Sequence, residues 1–307
     1  MINLLKLLLV IFPILFGCGH YETTVNTEND GKLHRRILNK NFEGDTLSLK
    51  NFFSNPIELF VPVSTSLNKE PVLLIHFHGS SYVPKAAVQS VNKNIILAVV
   101  NLGVGSSVYE KPFLNGKVFP KLISAIDSTL NKYYHADIKL TEIYLSSFSA
   151  GYGAVRRILQ FHTEKIAGAL LLDGMHTDYI PDGTELSKGG SLNTEKLDLY
   201  LQLASESITG KKRFVISHSD IYPKTYASNK ETADYLIAKL NLKRNKVDET
   251  GPVGMHKTSE IIVGNFFVFG FDGDGTRDHV DQYHSMPELL CVLLNREKFM
   301  PPEYLSQ

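Results

Sequence analysis

Residues 142–160 read EIYLSSFSAGYGAVRRILQ. The β-branched and aromatic run Ile143-Tyr144-Leu145 predicts a short buried strand, and Ala154-Val155-Arg156-Arg157-Ile158-Leu159 has the apolar spacing of a helix. Ser147-Phe148-Ser149-Ala150-Gly151 joins the two. A serine on such a turn is forced into a strained backbone conformation. The residues two positions to either side must then be small, so that strand and helix can approach. Ser147 and Gly151 meet that demand around Ser149. The helix that follows brings its positive N-terminal end and free N–H groups beside the serine oxygen, where an oxyanion would form. Ser149 is therefore the candidate nucleophile; the alternative is a Ser/Gly-rich turn with no chemistry.

The stretch resembles the nucleophile elbow of the α/β-hydrolase superfamily, usually Gly-X-Ser-X-Gly, with Ser147 where the first glycine usually stands. The resemblance extends over about residues 46–296. It implies a doubly wound, mostly parallel central sheet flanked by helices, with the functional residues in the chain order serine, acid, histidine. Upstream, Pro71-Val72-Leu73-Leu74-Ile75-His76-Phe77 is a continuous apolar run that fits a strand buried on both faces, and it ends in His78-Gly79-Ser80-Ser81. That His-Gly pair resembles the oxyanion loop of the superfamily. The resemblance implies one backbone donor from Ser80 or Ser81 and a second from Ala150, with the His78 side chain bonding the loop rather than the substrate.

Further runs repeat the strand-then-loop plan at 94–100, 166–172, 213–219 and 265–271, and leucines 47 and 49 with residues 57–63 suggest antiparallel strands at the sheet edge. Ser228, with Glu231 three residues on, predicts a capped helix. Residues 177–212 form a long insertion at a strand's carboxyl end, expected as a small cap over the crevice. Gly103-X-Gly105 lacks the third glycine of a dinucleotide loop. Asp272, Asp274 and Asp278 lack the spacing and glutamate of an EF-hand and are read as a turn. Neither a cofactor nor a metal is expected.

A serine needs a base, itself held in one tautomer by a carboxylate. His279 stands at the mouth of the final helix, just after the last strand, and is preferred to His284, a turn and a half further in. Two aspartates follow late strands. Asp220, in Asp220-Ile221-Tyr222-Pro223, looks like the usual superfamily acid and is preferred to Asp173, which ends the strand before. Together these imply a serine hydrolase cleaving an ester by an acyl-enzyme. The alternatives are a non-catalytic surface binding protein on the same scaffold, or a peptidase or amidase.

The chain has 307 residues, 43% hydrophobic and 21% charged, enough for one large α/β domain. Basic and acidic residues balance at 32 each and no basic stripe stands out, which argues against a nucleic-acid partner. The N-terminus differs in kind. Lys6 precedes the apolar run 7–16, which is too short to span a bilayer comfortably and carries Pro13. It ends in Leu15-Phe16-Gly17-Cys18, which resembles a bacterial lipobox. The organisation expected is a signal peptide at 1–17, a lipidated flexible tether from Cys18 to residue 40, and the α/β domain at 41–307. An uncleaved anchor is the alternative; either way the protein sits at a membrane surface of the cell envelope, facing the periplasm or exterior. Its partners are then the membrane, through the lipid, and a small-molecule, glycan or lipid ester. Cys291, in the apolar run 289–294, is read as a small buried side chain, with no disulfide inside the domain.

Overall fold

The structure, a computed structural model, describes residues 23–27, 33–38, 40–91 and 93–294. The expected signal peptide and Cys18 lie outside the described residues. An antiparallel pair, β1 (Thr23–Thr27) and β2 (Leu33–Ile37), comes first. The domain then begins with β3 (Gly44–Leu49) and β4 (Ile57–Pro62), antiparallel at the sheet edge as their sequence suggests. Alternating units follow: β5 (Val72–Phe77), α1 (Tyr82–Ser90), β6 (Ile95–Val100), α2 (Ser106–Glu110), α3 (Val118–Tyr134), β7 (Ile143–Phe148) and α4 (Tyr152–His162). After β8 (Ile166–Leu172) come the two-residue strands β9 (Tyr179–Ile180) and β10 (Ser191–Leu192), then α5 (Asp198–Ile208), β11 (Arg213–His218) and α6 (Asn229–Lys239). The described chain closes with β12 (Asn245–Thr250), β13 (His256–Val263), β14 (Phe266–Phe271), α7 (Thr276–His284) and α8 (Met286–Leu294).

Ten strands form one sheet in the order β12-β13-β14-β11-β8-β7-β5-β6-β4-β3. The six central strands are mutually parallel and each edge carries an antiparallel pair. The apolar runs explain this, because a strand covered on both faces needs apolar side chains at every position. Leu73, Ile75 and Phe77 of β5, with Ile96, Ala98 and Val100 of β6, enter the layer shared with α3, α4, α5 and α6. Leu74, Ile95, Leu97 and Val99 enter the opposite layer with α1 and α8. The sheet is thus doubly wound. β5 leads into α1 on one face while its neighbour β7 leads into α4 on the other, so strand order reverses between β5 and β7. A crevice opens at the carboxyl ends of two such strands.

Three expectations are corrected. The tether is not free up to residue 40: Ile37 is buried, its N–H donates to His284 Nδ1 at 3.0 Å, and both His34 and Arg36 pair with Asp281 on α7. The insertion at 177–212 divides in two, because Tyr200, Leu203 and Ala204 place α5 in the core beside β11 as an ordinary crossover helix. Only the excursion at 177–193 projects, closed at its base by Thr177 Oγ1 donating to the Asn193 carbonyl at 2.8 Å. The pair β12–β13 was not anticipated, since β12 is exposed at every position but Val247 and shows no apolar alternation. Cys291 is fully buried, as read. Among the described residues no helix is long and apolar enough to cross a membrane.

Candidate active site

Three non-glycine residues with left-handed backbone sit directly after three adjacent parallel strands: His78 (φ 72°) after β5, Ser149 (φ 45°) after β7 and Asp173 (φ 43°) after β8. Such conformations cost about 1–3 kcal/mol each and persist where the surroundings impose them. Close packing imposes them here. A Cβ on Gly151 would stand 2.2 Å from the Phe77 carbonyl oxygen, so the start of the elbow helix is pressed against the end of β5. One on Gly174 would stand 2.4 Å from the Ser149 carbonyl oxygen, so the chain beyond Asp173 lies against the elbow itself. Ser147, in place of the usual glycine, is fully buried in β7.

The candidate base is joined directly to a carboxylate. His279 Nδ1 donates to Asp173 Oδ2 at 2.7 Å, and its ring lies 4.6 Å from that of Phe148, the residue before the serine. Asp173, 1% exposed, accepts three further bonds: from the Ser219 N–H at 3.0 Å, from Ser219 Oγ at 2.7 Å and from Asn229 Nδ2 at 2.8 Å. Burial by itself pushes this carboxyl up. The hydrogen bond and electrostatic attraction from His279 and the two Ser219 donors outweigh it and hold Asp173 below the ordinary value.

The preferred acid is therefore corrected, for Asp220 does not orient His279. Its side chain is largely exposed and its N–H donates to the Gly273 carbonyl at 2.9 Å; partial desolvation, with Asp272 and Asp274 nearby, outweighs Lys230 and Arg244 and pushes its carboxyl up. His284 is committed elsewhere. It accepts the Ile37 N–H on Nδ1, has the Tyr82 hydroxyl 3.4 Å from Nε2, and is lowered by burial to about 4. Asp278 caps α7 by accepting the Gly275 N–H at 2.9 Å, the turn role expected of that acidic loop.

The loop bearing Ser80 and Ser81 is pinned by its carbonyls. His76 Nε2 donates to the His78 carbonyl at 2.8 Å, Asn101 Nδ2 to that of Gly79 at 3.1 Å and the Tyr283 hydroxyl to that of Ser80 at 2.8 Å. In a trans peptide the N–H points opposite to the carbonyl of the preceding residue. The amides of Gly79, Ser80 and Ser81 therefore face away from these pins. Burial lowers His76 to about 3, which keeps it neutral, with Nδ1 facing Ser146 Oγ at 2.8 Å. The His78 side chain faces the Tyr109 hydroxyl on α2 at 2.9 Å, so it ties the loop to α2 rather than bonding within it. Gly79 is obligatory, since a Cβ there would meet the Tyr283 ring at 2.5 Å. His76, Tyr283, Phe148 and His78 form a stack with centroid spacings of 5.5, 4.6 and 5.9 Å, a rigid floor beneath elbow and oxyanion loop.

Sequence reasoning missed Ser219, Asn229 and Tyr283. The first two carried a signal: Ser219 precedes the preferred aspartate, and Asn229 opens the helix predicted from Ser228 and Glu231, whose capping box is present. Nothing marked Tyr283. Among the described residues no group of histidine, cysteine and carboxylate side chains is arranged to hold a metal ion.

No protein-family model matches this chain, and no curated protein matches it in sequence. Solved structures of similar shape include an acetyl xylan esterase from Aspergillus awamori (14% identity over 79% of this chain and 100% of that one, TM-score 0.44). A carboxylesterase from Bacillus subtilis (8%, 84% and 93%, TM-score 0.45) is another. A third is the feruloyl esterase module from Clostridium thermocellum (12%, 90% and 97%, TM-score 0.46). These are distant likenesses of shape, and the chemistry rests on the geometry of this site.

Proposed function

We propose that the protein is a serine hydrolase that cleaves a carboxylic ester through a covalent acyl-enzyme, with Ser149 as nucleophile, His279 as base and Asp173 as acid. The observation that carries this reading is the bond from His279 Nδ1 to a buried, three-times-bonded Asp173 beside a strained serine at the switch point of the sheet. With Nδ1–H held by the carboxylate, Nε2 carries the free lone pair and takes the serine proton as Oγ attacks the ester carbonyl. The oxyanion then accepts N–H bonds from Ala150 and from Ser80 or Ser81. Collapse of the tetrahedral intermediate breaks the ester C–O bond, and the imidazolium returns its proton to the leaving alcohol. Water repeats the sequence to release the acid and Ser149. The expected substrate is a small-molecule, glycan or lipid ester.

A fluorophosphonate probe tests this. Stoichiometric labelling, lost in Ser149→Ala, is the expected outcome; no labelling of the intact protein points instead to a non-catalytic binding protein on the same scaffold.

We further propose a cell-envelope location through acylation of Cys18, supported by the lipobox-like Leu15-Phe16-Gly17-Cys18. Intact mass decides. A diacylglycerol mass increment in the membrane fraction, lost in Cys18→Ala, supports the lipid anchor, and a chain with no lipid mass whose partition is unchanged in Cys18→Ala refutes it.

A further inference from the structure

Three rings from three separate elements meet near the acid: Tyr152 in the first turn of α4, His176 in the loop after β8 and Tyr226 in the loop after β11. The His176 centroid lies 5.5 Å from that of Tyr152 at 69° and 4.9 Å from that of Tyr226 at 82°, so the rings form a corner rather than a stack. The corner is held from behind. His176 Nδ1 donates to the Ala227 carbonyl at 2.9 Å, Arg156 donates to the His176 carbonyl at 3.4 Å, and the Arg156 guanidinium lies 5.3 Å from the Tyr152 centroid. Burial lowers His176 from its ordinary value, so its ring is neutral at pH 7. His176 follows Asp173 by three residues on the loop after β8, and Tyr152 follows Ser149 by three at the start of α4, which sets the corner beside the candidate site.

Large side chains stay exposed around the corner. Tyr226 is 42% exposed, and Tyr222 and Ile180 at 39% and 52% lie on the adjoining loop and excursion. The Tyr222 hydroxyl ties the two segments together through Glu185 at 3.2 Å and Tyr179 at 3.4 Å. Large apolar side chains left exposed together mark a ligand surface, and tyrosine supplies rigid contact area at low entropy cost. The neighbouring carboxylates are already engaged: Glu185 by Lys188, Asp178 by Lys196, and Glu231 by Ser228 and Tyr179. A flat ring needs one face to lie on and one edge to meet. Two rings near a right angle provide both.

We propose that Tyr226, His176 and Tyr152 form a subsite for a planar aromatic group of the substrate, which would make the preferred substrate an aryl-bearing ester. This inference rests on the serine-hydrolase reading for the position of the scissile bond. The test compares ethyl 3-phenylpropanoate with ethyl 3-cyclohexylpropanoate, which match in length and differ in ring character. Turnover by the intact protein is followed by acid release, and binding to Ser149→Ala by calorimetry. The phenyl ester should be favoured about three- to tenfold in both measurements, the range that ring–ring contacts supply beyond buried area. Tyr226→Ala should bring the ratio to within about twofold of unity, while Tyr226→Phe keeps it. Tyr133→Ala, on the exposed face of α3, should also keep it. Equal treatment of the two esters by the intact protein, or an unchanged ratio in Tyr226→Ala, overturns the subsite and leaves the hydrolase reading standing. Selective binding of the phenyl ester with neither turnover nor fluorophosphonate labelling does the reverse.

Discussion

Asp173 and Asp220 end up at the carboxyl ends of two neighbouring parallel strands, β8 and β11, and by position along the sheet either could serve a histidine arriving from α7. Their surroundings differ in every respect that matters to a carboxylate. Asp173 is buried and collects four donors, with its charge held below the ordinary pKa. Asp220 is exposed among other acids, with its charge disfavoured. A buried anion survives only where hydrogen bonds replace water, so the donors rather than the strand end define the acid. The contrast also shows how the two positions cooperate. The loop that carries Asp220 supplies Ser219, whose N–H and hydroxyl both serve Asp173. The late loop is part of the site through the residue beside the expected one.

Exchanging each carboxylate for an amide breaks the comparison most sharply. Asp173→Asn should keep the fold but lower kcat by about four orders of magnitude, because an amide lets His279 take the tautomer that cannot accept the serine proton. Asp220→Asn should change kcat by less than about threefold, since it removes a solvated charge that touches no reacting group. Steady-state kinetics on one activated ester, with circular dichroism to verify folding, measure both. A large loss in Asp220→Asn with little in Asp173→Asn would overturn the acid assignment.

The next effect tests the donors. Asn229→Ala and Ser219→Ala each remove one hydrogen bond to a charged, buried oxygen, worth about 1.5–3 kcal/mol. Where that bond serves to aim the carboxylate, the loss falls on kcat, by about 10- to 100-fold each, with KM nearly unchanged. The double variant should lose less than the product of the two, because both donors act on one carboxylate. Additive losses confined to KM would show that the donors hold the loops rather than the acid.

Much of this was legible in the chain. The six central strands announce themselves as unbroken apolar runs, and the elbow by small residues around Ser149, because burial on both faces and close approach leave strong marks on composition. His279, preferred to His284 for its distance from the last strand, is the one that bonds Asp173. The acid was not separable, because both late strands lead into an aspartate and what distinguishes them is a set of donors: Ser219, the first residue beyond β11, Asn229 at the start of α6, and His279 on α7. Hydrogen bonds between residues 46, 56 and 106 positions apart leave no period in a sequence. β12 failed for the opposite reason: an edge strand of Asn245-Lys246-Val247-Asp248-Glu249-Thr250 is held by backbone pairing alone and looks like a loop.

The smallest effect is on stability, and its sign separates the two aspartates without reference to catalysis. Asp173, whose folded pKa is depressed, contributes stability that is fully present above the ordinary value of 3.8 and lost as pH falls through its lower folded value. Asp220, whose folded pKa is raised, does the reverse. Its ionised form is disfavoured in the folded state, so the deficit is present above the raised value and disappears as pH falls through 3.8. Asp173→Asn should therefore lower the melting temperature at pH 7 and reduce the gap between neutral and strongly acidic solution. Asp220→Asn should leave the melting temperature at pH 7 unchanged or raise it by no more than about 2 °C, since solvent screens an exposed carboxylate. Melting curves between pH 3 and 7 for the parent and the two variants decide it. A substantial loss at pH 7 in Asp220→Asn would mean that its carboxylate has a partner in solution, and the distinction between the two strand ends would fail.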